Sequence, residues 1–171
     1  MDLYMIVLRI VHILAGVFWV GSAAMFFMYV QPTAKALGPA GAPFMTHLVQ
    51  QKRVPVVLLW CAGTTITAGL LLYWRTSGGF DTDWITSETG MAFTIGGLAT
   101  IVAFMLGLFI AKPAADRMGA VAAQAAAAGG PPSQEQAAQI AASQATLRKI
   151  GITNLTLLTL AVILMAVARY L

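Results

Sequence analysis

Four long and almost uncharged apolar segments constrain this chain more than any other feature of its sequence. Each is long enough to cross the hydrocarbon core of a bilayer as a helix, which takes about 20 residues. The predicted spans cover residues 3–30, 54–74, 91–111 and 152–171. Only 9% of the residues are charged, against about 25% in a soluble domain. The sequence therefore predicts an all-α, single-domain integral membrane protein, a four-transmembrane-helix bundle over residues 1–171.

The basic residues of the connecting segments predict how the helices cross the membrane, because loops rich in Lys and Arg stay in the cytoplasm. The first and third connections are basic, whereas the second carries one arginine against three acidic residues. We therefore expect a multi-pass protein of the bacterial inner (cytoplasmic) membrane with both termini outside. The residues that carry this prediction are Lys35, Lys52, Arg53, Arg75, Asp81, Asp83, Glu88, Lys112, Arg117, Arg148 and Lys149.

Residues 113–149 form the only long polar stretch of the chain. The stretch is rich in Ala and Gln, which are good or tolerable helix formers. Two glycines and two prolines interrupt it at residues 129–132, and Ser133 followed by Gln136 is the pattern of a capping box that restarts a helix. We expect helical extensions of the third and fourth spans that form a cytoplasmic hairpin. A flexible Ala-rich linker is the alternative.

Arg9 and His12 lie inside the first apolar segment, where an ionisable side chain marks a candidate functional site. The spacing of Arg9, His12, Gly16 and Trp19 puts all four on one helical face. They supply what a planar macrocycle needs: an imidazole for the metal, a small residue for close approach and a cation for the propionates. Because haem iron is commonly held by histidine, the pattern indicates His12 as a candidate metal ligand and haem as the candidate cofactor.

Each of these four residues also has an ordinary structural explanation. Arg9 could extend its charged end to the membrane interface. Gly16 could allow two helices to pack closely, and Trp19 could belong to the core. His12 could hydrogen-bond a neighbouring helix. The sequence leaves both interpretations open.

Met165 and Arg169 repeat the arrangement of His12 and Arg9 on the last span, with the cation one turn further out. Methionine is a known axial ligand of haem iron, so the pair is a candidate for the second side of the site. With nine methionines in the chain, a chance arrangement is the alternative. His47 is the other histidine, but it lies beside the basic residues at the inner surface. We do not expect it to share a metal with His12 of the same chain.

Other polar and sulfur-containing residues within the apolar segments admit simpler interpretations. Met25 and Met28 could bind copper as soft ligands, although apolar packing explains them as well. Hydrogen bonds between helices are expected from polar residues of the second and fourth spans, namely Thr64, Thr65, Thr67, Asn154 and Thr156. All six acidic residues lie outside the spans, which argues against a proton pump or cation channel built on buried carboxylates.

The first span resembles the opening span of two families and reads LRIVHILAGVFWVGSAAMFFMYVQP. In the bacterial membrane protoporphyrinogen oxidase family, that span has a histidine, several apolar residues, a tryptophan and a small residue, and closes with an aromatic residue and a proline. The copper-resistance D superfamily has a similar span. The second span is also similar to that of the oxidase family and reads RVPVVLLWCAGTTITAGLLLYW. The resemblance implies a haem b site at His12, or copper handling in the other case.

The chain also differs from the oxidase family at two places. The family usually closes its first span with Pro-Arg, where this chain has Gln31-Pro32-Thr33, and it has a lysine in the third span that is missing between Met91 and Ala111. These differences bear on oxidase activity rather than on the scaffold or His12.

Two functions of different class are compatible with these residues. The first is a b-type haem protein for electron transfer or porphyrin redox chemistry; if it is an enzyme, it is a membrane oxidoreductase of the protoporphyrinogen oxidase type. The second is a non-catalytic membrane subunit, or a copper-transport component, with a structural histidine. The expected partners are the lipid bilayer and either further copies of the chain or a larger membrane complex, with no nucleic acid.

Overall fold

The computed structural model describes residues 2–129 and 131–171, which form helices and short turns without any strand. In this part of the chain six helices follow one another: α1 (Leu3–Ala36), α2 (Gly41–Thr46), α3 (Val54–Thr76), α4 (Thr82–Ile85), α5 (Glu88–Ala127) and α6 (Gln134–Tyr170). The helices α1, α3, α5 and α6 are long and apolar enough to cross a membrane. The predicted all-α fold with four membrane-crossing helices is confirmed.

Backbone contacts divide the chain into two compact units, which are described separately. The first unit runs up to Thr100 and includes Leu158–Leu171, and the second is Ile101–Leu157. The prediction of a single domain stays a prediction.

In the first unit, α1 and α3 pack side by side in opposite directions. At one end Asp2 forms an ion pair with Arg75, at 3.7 Å, and further along the pair His12 lies against Thr65. The side of α1 that faces α3 includes Trp19, which is buried. Large apolar side chains on other sides of α1, such as Leu14, are exposed. An apolar helix exposed in this way is suited to lipid rather than to water.

Within the first unit, the beginning of α5 packs on α3 and the end of α6 packs on α5 through close contacts. The Tyr73 hydroxyl and the Thr94 hydroxyl are 2.6 Å apart and form a hydrogen bond between α3 and α5. On α5, Gly96 lies against the backbone of Ala161 on α6. Four helices therefore pack in succession, α1 on α3, α3 on α5 and α5 on α6.

An aromatic cluster covers the connection between α3 and α5. The rings of Tyr73 and Trp84 meet edge to face with their centroids 5.3 Å apart, and Trp84 stacks on Phe93. Ser77 is buried and its hydroxyl accepts a hydrogen bond from the backbone N–H of Phe80. Tyr and Trp are enriched where membrane helices meet the headgroup region. The cluster fits that position.

Two of the long helices contain a π-helical turn shortly before a proline. In α1 the turn is Phe26–Val30 and Pro32 follows it; in α5 the turn is Gly107–Ala111 and Pro113 follows it. Proline lacks an N–H, and its ring strikes the carbonyl four residues earlier in a regular α-helix. That carbonyl lies within the π-helical turn in both helices. The wider turn gives it room, so both helices continue past their prolines.

The chain breaks before α3 instead of continuing into it. Arg53 has a positive φ of 50°, in the left-handed region that interrupts a helix. Pro55 then falls in the first turn of α3, where a residue without an N–H costs no helical hydrogen bond. The basic residues Lys52 and Arg53 are exposed at this break.

The second unit is a helical hairpin. Its two arms are α5 from Ile101 onwards and α6 up to Leu157. Ala114 and Ala125 on the first arm are buried. The Ser133 hydroxyl accepts a hydrogen bond from the Gln136 N–H, and the Gln136 side chain accepts one from the Ser133 N–H. The predicted capping box and the helical extensions are therefore confirmed. Gly130, part of the predicted break, lies outside the described residues.

Candidate functional site

The imidazole of His12 is held by the backbone of α3. Its Nδ1 lies 2.8 Å from the carbonyl oxygen of Thr65. A carbonyl oxygen can only accept a hydrogen bond, so Nδ1 must carry the proton and donate it. The neutral ring then has a lone pair on Nε2. A histidine that binds a metal through one nitrogen commonly donates its other N–H to a backbone carbonyl or a carboxylate in this way.

The residues around this hydrogen bond allow α1 and α3 to approach closely. A Cβ on Gly69 would lie 2.9 Å from Cε1 of His12, so the imidazole occupies the space that a side chain would take. The hydroxyl of Thr65 donates to the carbonyl of Cys61 on its own helix, at 2.8 Å. The sequence prediction that Thr65 bonds between helices is thus met by its backbone and not by its side chain.

Gly16 and Trp19 take part in helix packing. A Cβ on Gly16 would lie 3.4 Å from the side chain of Thr65, so α3 fills the space that the missing side chain leaves. Trp19 is buried on the same face. Gly16 therefore lies against Thr65, the residue that bonds His12. The space beside this glycine is filled by α3 and is not open to a macrocycle.

The two arginines of the predicted site are exposed. Arg9 lies one turn from His12 on α1, and among the described residues it has no carboxylate partner within ion-pair distance. The guanidinium of Arg169 lies 5.5 Å from the ring centre of its neighbour Tyr170. Such a contact contributes about 0.5–1 kcal/mol at an exposed position. Both side chains are therefore accessible from outside the bundle.

Met165 lies at nearly the same depth as His12. The hydrogen bond between α3 and α5 lies four residues beyond Gly69 on α3 and two residues before Gly96 on α5. Met165 packs against Gly96, with its Cγ 3.4 Å from where a Cβ would be. With a rise of about 1.5 Å per residue, this count places Met165 within about one helical turn of His12 in depth. The contact that the structure gives Met165 is with Gly96 and not with His12.

His47 is exposed and lies in a π-helical turn before α3, His47–Gln51. The partner carbonyl of His12, at Thr65, is eleven residues after Val54, where α3 begins. That length of helix is about 16 Å. The structure therefore does not bring the two histidines of this chain together.

Asn154 has an unusual environment in the second unit. Its Oδ1 is buried and has no hydrogen-bond partner. Its Nδ2 lies 3.7 Å from the position of a Cβ on Gly107, the first residue of the π-helical turn in α5. The hydroxyl of Thr156 donates to the carbonyl of Ile152 on its own helix. Neither residue makes the hydrogen bond between helices that the sequence predicts.

Gly69 is a residue of this site that the spacing of the apolar segments does not predict, although its position carries a signal. It lies four residues after Thr65, and therefore one turn further along the same side of α3. A glycine at that position leaves a helix carbonyl open to an approaching helix. The sequence contained both residues, but not the information that α1 would face this side of α3.

The fold and these contacts define the class of the protein: an all-α membrane protein in which a part-buried contact between two helices holds the histidine of the first span. Within residues 2–129 and 131–171, no group of three or more His, Cys, Asp or Glu side chains is placed to hold a metal ion. Comparison with protein-family models, curated proteins and solved structures gave no match.

Proposed function

We propose that this protein binds a b-type haem through Nε2 of His12 and serves in electron transfer or porphyrin redox chemistry. The observation that carries the proposal is the 2.8 Å contact between Nδ1 of His12 and the carbonyl of Thr65. It leaves one nitrogen with a lone pair and fixes the plane of the ring. A metal bound to Nε2 would meet an imidazole that loses little freedom on binding.

Among the residues of this site, His12 is the one that would hold a haem iron. When bound, haem would supply one-electron chemistry, with a potential set by its ligands and by nearby charge. His12 would provide the directional bond, and Arg9 would supply a positive charge one turn further out. Met165 and Arg169 are the candidates on the other side, supported by the matching depth of Met165. The side of Gly16 that lacks a side chain faces Thr65, so this glycine also fits a role in the packing of α1 on α3.

The resemblance of the first two spans to the protoporphyrinogen oxidase family supports the same proposal. It rests on His12, Trp19 and the proline that closes the span. The differences after Gln31 and in the third span favour electron transfer over the oxidase reaction. Copper handling, which the likeness to the copper-resistance D superfamily implies, would use His12 or, at a separate place near the inner end of α1, the sulfur atoms of Met25 and Met28.

The main alternative is a non-catalytic membrane subunit in which His12 is structural. The same hydrogen bond favours it, because a bond between helices stabilises a membrane protein by about 0.6 kcal/mol on average without any cofactor. The packing of Gly16 against Thr65 and the burial of Trp19 also fit this alternative.

We further propose that the protein lies in the bacterial inner membrane with both termini outside. The antiparallel packing of α1 and α3 supports this, because it separates the charges. The ion pair of Asp2 and Arg75 lies at one end of that helix pair. Lys35 and Arg53 belong to the opposite end. Basic residues on the cytoplasmic side are the rule for such segments.

The proposal is tested by the visible absorption spectrum of protein purified in detergent from cells supplied with iron and a haem precursor. We expect a Soret band that shifts on reduction. His12→Ala should abolish it, because no other side chain on that face offers a nitrogen lone pair. Arg9→Gln should leave the band but lower the reduction potential, because removing a positive charge favours the oxidised iron.

The matched control is His47→Ala, which removes the other histidine from an exposed position. It should retain the wild-type ratio of haem to protein. A colourless wild-type protein under these conditions, or full haem content in His12→Ala, would contradict the proposal. A colourless protein that binds copper would favour the copper alternative.

A further inference from the structure

The carbonyl oxygen of Thr65 lies in the middle of a helix, yet a hydrogen-bond donor from a neighbouring helix can reach it. In an α-helix a carbonyl oxygen accepts from the N–H four residues later, and the side chain of that later residue normally lies beside it on the helix surface. Here that residue is Gly69. Without a side chain at this position, a donor from a neighbouring helix can reach the oxygen, and the Nδ1 of His12 does so at 2.8 Å.

The fit between Gly69 and the imidazole is tight. A Cβ added at Gly69 would lie 2.9 Å from Cε1 and 3.1 Å from Nδ1 of His12. Separations below 3.0 Å essentially do not occur for real Cβ atoms. Both atoms belong to the end of a side chain that can rotate, so the imidazole would move before the backbone did. A side chain at residue 69 would therefore separate Nδ1 from the Thr65 carbonyl and leave the helices packed.

We propose that Gly69 is the positioning residue of His12, and that it fixes which ring nitrogen is free. With the carbonyl open, Nδ1 carries the proton and Nε2 keeps the lone pair. With the carbonyl covered, the neutral ring would lose its fixed partner and exchange between its two tautomers. That Nε2 then binds haem iron rests on the proposed function; the choice of tautomer does not.

The tautomer can be measured without any cofactor. The chain has two histidines, so ¹⁵N-histidine labelling of the full-length protein in detergent gives two sets of ring signals. His47→Ala identifies those of His12. We expect the neutral imidazole of wild-type His12 to carry its proton on Nδ1 and to leave Nε2 unprotonated. A protonated Nε2 with a bare Nδ1 in the wild-type protein would overturn the proposal directly.

The variant that tests the position itself is Gly69→Ala, and Gly63→Ala is its matched control. Gly63 is in the same helix, and a Cβ there would meet nothing within 4 Å. Both variants replace a helical glycine by alanine, and so both gain the same helix propensity. We expect Gly69→Ala to give the ring signals of a mixed tautomer population, and Gly63→Ala to keep those of the wild type.

Haem binding provides the second measurement. Loss of the hydrogen-bonded partner of a metal ligand typically weakens metal affinity about 10–100-fold. We expect a loss of that size in Gly69→Ala and none in Gly63→Ala, with unchanged helix content by circular dichroism. Wild-type tautomer signals and wild-type affinity in Gly69→Ala would overturn the positioning role.

The two proposals fail in different ways. If the tautomer changes in Gly69→Ala but the wild-type protein binds no haem, the positioning role stands and the proposed function fails. If haem binds through His12 and the tautomer is the same in all three proteins, the reverse holds. If Gly69→Ala does not fold, the wild-type ring signals still decide the tautomer on which the positioning role depends.

Discussion

Asn154 is the residue with the least favourable polar environment in the described structure. Its Oδ1 is buried without a partner, and an unpaired buried acceptor costs about 1–3 kcal/mol. Nothing in the helix requires this residue, since leucine has a similar size and a better helix propensity. Asparagine therefore occupies a position that stability alone would give to an apolar side chain.

We expect Asn154→Leu to raise the thermal stability of the protein in detergent. Removing the unpaired amide should recover about 1–3 kcal/mol, and each kcal/mol corresponds to about 2–4 °C for a chain of this size. The measurement is the melting temperature by circular dichroism or by the fluorescence of a thiol-independent dye.

Thr156→Val is the control for Asn154→Leu. It removes a hydroxyl that already bonds its own helix and is exposed, so its melting temperature should change little. An unchanged or lower melting temperature for Asn154→Leu would mean that the amide has a partner in solution, such as a bound water.

The individual residues of the candidate site were partly predictable from the sequence. The spacing of His12, Gly16 and Trp19 put them on one face of a helix, and the structure turns that face towards α3. The identity of the partner was not predictable, because helical periodicity says which residues share a face but not which helix that face meets. For this reason Thr65 was assigned a bond through its hydroxyl, and Gly69 was not identified.

The hairpin formed by the ends of α5 and α6 has its own local determinants. Alanine-rich arms favour the helical conformation, and the capping box at Ser133 satisfies backbone N–H groups where α6 begins. Lys112 and Asp116 form an ion pair one turn apart on the first arm. At the exposed surface such a pair contributes about 0.3–0.5 kcal/mol.

We expect the helices of the first unit to fold without the tip of this hairpin. Residues 120–142, which a short Gly-Ser linker would replace, all belong to the second unit, whereas the first unit consists of residues up to Thr100 and from Leu158 onwards. The protein should elute as a single symmetric peak in size-exclusion chromatography and keep the near-ultraviolet signal of its aromatic cluster.

The comparison for this change is the same linker in place of residues 77–87. That replacement deletes Trp84 and the turn held by Ser77, so it should broaden the elution profile and abolish the aromatic signal. Aggregation of the hairpin variant would instead make the hairpin part of the folding core.

The helical arms were predictable because their signals are local. Ser133 and Gln136 are three residues apart, and their mutual hydrogen bonds need no information from elsewhere in the chain. The π-helical turns before Pro32 and Pro113 were not identified from the sequence. A proline predicts a disturbed helix, but whether the helix kinks, ends or widens depends on how the next turn packs.

Labelling of single cysteines tests the proposed orientation of the complete chain in the membrane. In a Cys61→Ala background, which removes the only cysteine, Ser87→Cys should react with a membrane-impermeant maleimide added to intact spheroplasts. Ser133→Cys should react only after the membrane is made permeable. The reason is the charge of the connections, which keeps the basic segments in the cytoplasm. The opposite pattern of labelling would reverse the orientation.

The architecture was the most predictable property of this protein. Each of the four apolar segments predicted from the sequence falls on one of the four long helices, and the last segment ends one residue after α6, at Leu171. The reason is that a helix pairs its backbone groups within its own segment, as a single span in lipid requires. Function was less predictable, because one histidine with a fixed ring is compatible both with a haem ligand and with a bond between helices alone. The chemistry of Nε2 decides between them.

The π-helical turns in α1 and α5 have a consequence for how such a chain diverges. A π-helical turn is equivalent to an α-helix with one inserted residue, and each residue turns a helix by about 100°. A homologous chain that lost the proline could also delete one residue there and return to a regular helix. Every side chain beyond that point would then face a different direction. In α5, the residues that follow include both the cation of Lys112 and the first arm of the hairpin. A single-codon deletion at Gly107–Ala111 would therefore rotate the side chains of the following residues by about 100° around the helix axis and leave the sequence of the arm beyond it unchanged.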